Sequence, residues 1–375
     1  MSVEIRRIGV GGKIDDFLGV VDYIYRDDPH FVRPLDLDMS QRLSHKNPFF
    51  EHAEAAFFTA HRNGKCVGRA TAQIDHLHLE RYNDGVGFFG FFDTINDEEV
   101  SKELLAAAEG WLRARGMKRM RGPMSLSINE EMGCLIDGFD TPPMILMPHH
   151  LPYQAALIEK AGFAKLKDLY AWRYSVGDVP ARAKKAHAEI AALSEVTSRH
   201  ADKQHIERDV GIVMDVFNDA WSDNWGFIPY TKSELKKMAE DFKLLLVPEL
   251  TQICYVDGEA AAVAVALPNL NEIIADFRGK LFPFGLPKLL WRLKVERPKT
   301  ARLAILGIRK KFRNVRKYAG LSTYMYVELN NAGARAGFKW GELSWTLEDN
   351  APVNVAIKFM GGKVYKTYRI YEKEL

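Results

Sequence analysis

The chain predicts a mixed α/β fold repeated as two similar domains, and three observations carry that expectation. Its 375 residues, 47% of them apolar, exceed what one hydrophobic core usually serves and suffice to fill two. Each half holds an Asx-Gly turn between two strand-like runs, Asn63-Gly64 and Asp257-Gly258. Each half also holds a helix that stops at a glycine before a new strand, in Ala114-Arg115-Gly116-Met117-Lys118 and in Arg335-Ala336-Gly337-Phe338-Lys339. Glycine adopts the left-handed conformation that ends a helix, so the matched turns and stops read as one unit used twice.

In the first half, 54–62 (EAAFFTAHR) and 66–74 (CVGRATAQI) form a hairpin, because Asn-Gly supplies the positive φ angles such a turn requires. A third strand at 86–92 (VGFFGFF) follows, then a helix over 98–115, a strand at 118–121, a short helix at 153–160, Gly162 and a last strand at 165–174. The second half repeats this as strands 252–256 and 260–267, a strand at 302–308 (RLAILGI), a helix from about 318 to 335 and a strand at 342–347. A short helix at 353–359, Gly361 and a last strand at 363–371 complete it. The unit is β-β-β-α-β-α-β, an α/β fold of the α+β mixed-sheet kind. Gly116 and Gly162 stand 46 residues apart whereas Gly337 and Gly361 stand 24 apart, so the first half carries an insertion around 123–150. The boundary falls in the charged stretch 181–198, giving domains 1–180 and 181–375.

A formal charge of +3 excludes a global field for nucleic acid, so any basic site is local. Cys66, Cys134 and Cys254 are scattered without CxxC or partnering His spacing, which speaks against structural zinc or a disulfide framework; no metal is implied. The start MSVEIRRIGV lacks a signal-peptide core, and no stretch approaches the roughly 20 apolar residues of a membrane span. The expected location is the cytoplasm. Gly85-Val86-Gly87-Phe88-Phe89-Gly90 matches GxGxxG literally, but its phenylalanines belong to a buried strand and Asp93, Asp97, Glu98 and Glu99 follow, which would repel a pyrophosphate.

In the second half, LGIRKKFRN, the helix ending at Gly337, Leu347-Glu348-Asp349-Asn350 and Phe359-Met360-Gly361-Gly362 resemble the core of the GNAT acyltransferase superfamily. Glu159-Lys160-Ala161-Gly162-Phe163 resembles its closing turn in the first half. With Asn47-Pro48-Phe49-Phe50-Glu51-His52, Asn224-Trp225-Gly226-Phe227 and Tyr365-Lys366-Thr367-Tyr368-Arg369-Ile370-Tyr371, the whole chain is similar to a bacterial family of tandem GNAT proteins that includes bacterial ceramide synthases. The resemblance implies two tandem GNAT-like domains and acyl-CoA as co-substrate, with no prosthetic group.

A pyrophosphate needs backbone N–H groups at a helix start and nearby cations. Arg309, Lys310, Lys311, Arg313, Arg316 and Lys317 crowd the turn before the second-half helix, so Arg313, Asn314, Val315, Arg316, Lys317 and Tyr318 are expected to hold the donor. Asn350 is a further candidate there, or simply a helix cap. The superfamily's loop glycines are replaced here by Asn314 and Arg316, which shifts the expected grip from backbone to guanidinium, or the donor to an acyl carrier protein. By resemblance, backbone N–H groups of Leu306, Gly307 and Ile308 face the thioester carbonyl. The tyrosine that often serves as acid would fall at Ile158 and Ile357. The replacement candidates are Tyr365 and Tyr368 as acids and Glu348 as base, each with a bland alternative as packing or capping residue. His149 and His150 either overhang a pocket or form an exposed loop pair.

The insertion at 268–300 contains FRGKLFPFGLPKLLWRLKVERPK, where Leu286, Leu289, Leu290 and Leu293 recur at helical spacing and Lys288 and Arg292 line another face. Such a helix packs on the core or lies on an anionic bilayer as a peripheral inner-membrane contact. Phe282, Phe284 and Trp291 at its edges, with Trp225 and Phe227, are candidate walls for a greasy substrate. The leading expectation is an N-acyltransferase moving a long acyl group from acyl-CoA to a lipid amine such as a sphingoid base. The alternatives are a small-amine N-acetyltransferase using acetyl-CoA and a non-catalytic acyl-CoA-binding module.

Overall fold

The computed structural model describes residues 2–242 and 247–375. The first repeat contains β1 (Glu4–Gly9), α1 (Asp15–Ile24), α2 (Asp36–Arg42), β2 (Ala53–Arg62), β3 (Lys65–Asp75), α3 (His76–Tyr82), β4 (Val86–Thr94) and α4 (Glu98–Arg113). It continues through β5 (Arg119–Gly122), β6 (Met124–Ser125), β7 (Glu131–Met132), β8 (Cys134–Asp137), α5 (Gln154–Lys160) and β9 (Ala164–Ser175). The second contains α6 (Ala181–Ala191), β10 (Val196–His200), α7 (Ile206–Trp221), α8 (Lys232–Phe242), β11 (Thr251–Val256), β12 (Glu259–Pro268), α9 (Leu270–Ile274) and α10 (Gly285–Trp291). It ends with β13 (Thr300–Ile308), α11 (Lys310–Arg313), α12 (Leu321–Arg335), β14 (Trp340–Leu347), α13 (Ala351–Phe359) and β15 (Lys363–Glu374). Both hairpin turns hold two successive residues at positive φ, Asn63 (55°) with Gly64 (75°) and Asp257 (48°) with Gly258 (79°), the twist that joins adjacent antiparallel strands.

Contacts divide the chain into two compact units, unit 1 formed by Met1–Leu169, Asn271–Val295 and Lys366–Leu375, and unit 2 by Tyr170–Leu270 and Glu296–Tyr365. In unit 1 the strands run β1-β2-β3-β4-β5-β15, antiparallel except for the β4–β5 pair, and β8 also pairs with β15. Successive side chains of a strand point to opposite faces. Phe58 therefore packs with Leu104, Leu105 and Ala108 of α4, while its neighbour Phe57 packs with Phe17 of α1 on the other face.

In unit 2 the strands run β10-β11-β12-β13-β14, antiparallel except for β13–β14. Cys254, Ala262 and Ala264 face Ile190 of α6 and Leu321 and Met325 of α12, whereas Ile253 and Val263 face Val213, Met214 and Phe217 of α7.

The last strand of each repeat is not wholly kept by its own unit. From Lys366 onward β15 belongs to unit 1, where Tyr371 joins the core with Ile158 and Phe163. From Tyr170 onward β9 belongs to unit 2, where the Trp172 indole donates to Thr346 Oγ1 at 2.8 Å. The stretch Asn271–Val295, read with the second repeat in sequence, likewise belongs to unit 1: Asn271 Nδ2 donates to the Pro143 carbonyl at 3.0 Å and the Asp36 N–H to the Gly279 carbonyl at 2.8 Å.

The first-repeat insertion is folded inward, so its two histidines form no exposed loop pair. His149 Nε2 lies 2.7 Å from Asp28 Oδ2, and His150 Nδ1 accepts the Leu135 N–H at 3.1 Å. Burial pushes His150 down to about 4, against an unfolded value near 6.5. Because the unfolded chain binds the extra proton, the stabilisation is complete above pH 6.5 and lost as pH falls toward 4, by roughly 3 kcal/mol. Melting temperature followed by circular dichroism should fall across that window, and His150→Gln, which retains an acceptor, should flatten the fall. An unchanged slope in the variant would show that other groups carry it.

Candidate functional site

A fork in the unit 2 sheet is where this fold departs from regular pairing. β13 pairs with β14 only from Thr300↔Trp340 to Leu303↔Leu343, while on its other edge β13 stays with β12 as far as Ile308. Val265 pairs with Ile305 but Ala266 with Leu303, leaving Ala304 as an extra residue, and such a bulge bends a strand and sharpens its twist. Past the bulge the parallel strands part. Leu303, Ala304, Ile305 and Leu306 are only partly buried although β13 is a central strand, whereas its counterpart β4 is buried through its whole length. On one face Gly307 is tightly covered, since a Cβ there would lie 2.3 Å from the Trp221 ring of α7.

At the base of the fork the register pairs Arg302 with Glu342, both buried. Arg302 Nε lies 3.8 Å from Glu342 Oε1 and donates to Ser344 Oγ at 2.8 Å; Ser344 Oγ in turn donates to Glu342 Oε1 at 2.5 Å. The Tyr365 hydroxyl donates to the other carboxylate oxygen, Glu342 Oε2, and the Trp340 ring meets Tyr365 edge-on at 5.9 Å. A buried carboxylate is thus surrounded by a guanidinium and two hydroxyl donors. Arg302, Glu342 and Ser344 were not singled out from sequence. The legible signal was the alternation of Glu342, Ser344 and Thr346 in β14, but one strand does not reveal its partner.

The basic turn resolves into two parts. Arg309 pairs with Asp215, the Lys310 N–H donates to Asp219 Oδ2 at 2.7 Å, and Lys310 Nζ lies 2.5 Å from Asp223. These carboxylates recur every fourth residue, from one face of α7 into the chain just past it, and bind the start of the turn. Lys311 pairs with Glu259, and Arg313 donates to the Ile308 and Ala220 carbonyls. In the second part Lys317 pairs with Glu195, while Asn314, Val315 and Arg316 are exposed and Arg316 has no ion pair among the described residues. Residues 316–318 form a separate turn, so α12 begins at Leu321, later than expected; its cap, Gly320, offers no side-chain acceptor. The first-turn N–H groups of α12 therefore lack a capping side chain, the arrangement that suits an anion.

Glu348 is the first residue past β14, and its carbonyl accepts from Asn354 Nδ2 at 3.4 Å. Asn350 caps α13 through a Val353 N–H bond of 3.5 Å. Tyr368 lies in unit 1, fully buried and paired with Leu135 of β8, so of the three proton-transfer candidates only Glu348 and Tyr365 lie in unit 2. Trp225 is half-buried in unit 2, and Phe227 packs in its core 5.7 Å from the Phe217 ring. Phe282, Phe284 and Trp291 are exposed and belong to unit 1.

Unit 1 contains the same fork, and it is filled. β4 and β5 pair from Val86↔Arg119 to Phe88↔Arg121 and then part. The segment after β5 occupies the gap: a Cβ on Gly90 would lie 1.9 Å from the Met124 carbonyl oxygen, and Gln73 Nε2 donates to that oxygen at 2.6 Å. No cluster of three or more potential metal ligands occurs among the described residues.

Comparison with known proteins decides the family. The chain is 41% identical over 362 residues to a bacterial ceramide synthase from Caulobacter vibrioides (strain NA1000 / CB15N), covering 96% of this chain and 94% of that one. This chain belongs to the bacterial ceramide synthase family of tandem GNAT-fold acyltransferases. Protein YghO of Escherichia coli (strain K12) is 39% identical over 359 residues, 96% of this chain and 92% of that protein. Among solved structures, a tandem GNAT protein from the clavulanic acid biosynthesis pathway superposes with a TM-score of 0.60 at 11% identity, covering 100% of this chain and 98% of that one. A GCN5-related N-acetyltransferase from Sphaerobacter thermophilus gives 0.55 at 12% identity over 99% and 95%. These show the tandem GNAT fold. A scan against protein-family models found no match.

The acyltransferase carries no activated thiol. Burial raises Cys66 to about 11 and Cys254 to about 12, and raises Cys134 further. At pH 8 roughly one Cys66 in a thousand is a thiolate. The native protein should leave a chromogenic disulfide reagent unreacted over minutes at pH 8, and all three thiols should titrate after unfolding. A rapid native thiol would reopen covalent catalysis.

Proposed function

We propose that unit 2 transfers a long acyl group from acyl-CoA to the amine of a lipid precursor, a sphingoid base in the sharpest form. The observation that carries this is the open fork beside β13, with an uncapped helix start at its mouth and a buried, hydrogen-bonded carboxylate at its base. The pyrophosphate would meet the α12 amino end and the exposed Arg316 and Lys317, and the thioester would lie along 304–308. The lipid acceptor rests on the name of the Caulobacter relative. It also carries the expectation of a peripheral membrane contact, since such amines and their amides partition into lipid.

In the transfer, the amine nitrogen bonds to the thioester carbonyl carbon while the C=O electrons move to oxygen, where the N–H groups of Leu306 and Ile308 on the β14 side of β13 stabilise the oxyanion; the Gly307 N–H points to β12 instead. The C–S bond then breaks, so one proton must leave nitrogen and one must reach sulfur. Tyr365 takes the first as it passes its own proton to Glu342, and the return of that proton lets Tyr365 protonate the thiolate. Arg302 and Ser344 hold Glu342 for this task. Tyr365 leads over Glu348 and Tyr368 because its hydroxyl meets a buried carboxylate in unit 2. An acyl carrier protein is the second donor reading, favoured by the lack of glycine at 314–318 for close backbone approach to a pyrophosphate.

The purified protein should form an N-acyl amide, identified by mass spectrometry, from palmitoyl-CoA or palmitoyl acyl carrier protein with sphinganine or 3-oxosphinganine. No such amide, with turnover of acetyl-CoA and a small amine, would overturn the lipid reading. Tyr365→Phe and Glu342→Gln should each lower kcat by about 100-fold or more with donor binding intact, and Glu348→Gln by less than about fivefold. The reverse ranking would move the proton transfer to Glu348. Arg316→Glu should raise the donor KM about tenfold with kcat unchanged.

A further inference from the structure

Six large apolar side chains stand exposed within fourteen residues of unit 1: Phe282 (64%), Phe284 (81%), Leu286, Leu290, Trp291 (61%) and Val295. A soluble surface scatters such residues singly; a cluster marks an interaction site. The layer beneath is well anchored. Ile273, Ile274 and Phe277 are buried, the Arg292 guanidinium donates to the Ile273 carbonyl at 2.7 Å, and Asp276 pairs with both Lys288 and Arg292, at 2.5 and 2.6 Å. Gly279 accepts from the N–H of Asp36, whose neighbour Leu37 is a further exposed apolar residue on α2. The segment is therefore tied to its unit on one side and presents apolar side chains on the other.

Charge identifies the occupant. Between Phe277 and Val295 the chain carries Arg278, Lys280, Lys288, Arg292 and Lys294 and no carboxylate. A second copy docked on the same patch would set like charges against like, and an apolar core element would offer these cations no anionic partner of its own. An anionic phospholipid surface satisfies both features, with aromatic rings at the boundary of headgroups and acyl chains and ammonium and guanidinium groups among the phosphates. No described helix is long and apolar enough to cross a membrane, so the fit is to the surface.

We propose that residues 280–295, with Leu37 beside them, form a docking surface for anionic phospholipid bilayers, with Asp276 as an internal competitor for two of its cations. The surface deepens the lipid-amine reading and rests on it for purpose, while its geometry is independent of that reading. Asp276 is replaceable by lipid phosphate because it is itself half exposed, and an exposed ion pair is weak and screened by salt.

The test is co-sedimentation of the full chain, without substrate, with vesicles of phosphatidylglycerol and phosphatidylethanolamine and with vesicles of phosphatidylcholine alone. Binding is expected at least tenfold tighter to the anionic vesicles and should be lost in 0.5 M salt, on the order of the screening at high ionic strength. Phe282→Ser/Phe284→Ser/Trp291→Ser should lower it at least tenfold with an unchanged melting temperature, and Asp276→Asn should tighten it two- to fivefold. A triple variant that binds as wild type, equal binding to both vesicle types, or no binding at all would overturn the proposal. So would self-association that the triple variant abolishes without any vesicle binding. Amide synthesis on detergent-solubilised amine is read separately, so failure to bind vesicles and failure to transfer an acyl group are distinct results.

Discussion

The parting of β13 from β14 just past Arg302 and Glu342 is the constraint on which unit 2 is arranged. Parallel strands that separate leave backbone N–H and C=O groups without their ladder partners, and buried groups of that kind need others. β13 tolerates the loss because β12 holds its other edge as far as Ile308. The buried pair at the fork is costly in itself, since two charges leave water. Ser344 and Tyr365 offset part of that cost by each donating to one of the two Glu342 oxygens. Removing the guanidinium alone would strand a buried carboxylate at about 3–5 kcal/mol, so the cluster stands or falls together. A pair of this kind is poor value as a stabiliser and more telling as a device that fixes one carboxylate in one place.

The first repeat supplies an internal comparison at the same register positions. Counting from the paired starts, Val86↔Arg119 and Thr300↔Trp340, the second step from each start is Phe88↔Arg121 in unit 1 and Arg302↔Glu342 in unit 2. Arg121 is paired with Glu372, 2.7 Å away, and the space beyond it is taken by Met124 against Gly90 and by Gly122 against Phe89. Asp93, near the end of β4, is bound by Arg69 and Tyr25. Two glycines let backbone fill the gap between the parted strands, and a carboxylate stands near the end of β4. The repeat kept the fork and closed it.

What was legible in the sequence was local. Asn63-Gly64 and Asp257-Gly258 announce their hairpins because the turn's φ requirement is written in two adjacent residues, and Gly116 and Gly337 announce helix ends for the same reason. The exchange of terminal strands was not legible, because Tyr371 and Trp172 are apolar strand residues that suit either core equally well. The basic turn was found, but its partners were not. Asp215, Asp219 and Asp223 lie some ninety residues upstream, and their four-residue spacing reads only as an acidic helix face until α7 is seen against the turn. Glu342 escaped for the matching reason: a polar residue in a strand has meaning only beside the strand it pairs with.

Those partners change what the basic run does. Six cations in sequence suggest a strong field, yet Arg309, Lys310, Lys311 and Lys317 each have a carboxylate and Arg313 is spent on two carbonyls. The first part of the turn is thereby held to α7 and β12 as a strut, and the proposed donor contact narrows to 314–317 and the helix N–H groups. The Lys317–Glu195 pair is screened by solvent and weak, so it can give way to a phosphate. If the donor binds at this turn as proposed, it exchanges one weak pair for another through the helix donors and Arg316, and the proposal then requires the apolar length of the acyl group to supply most of the affinity. The absence of glycine at 314–318 then agrees with the proposed long-chain donor, because a weak phosphate grip is tolerable where the substrate brings its own hydrophobic binding energy and less so where it carries only an acetyl group.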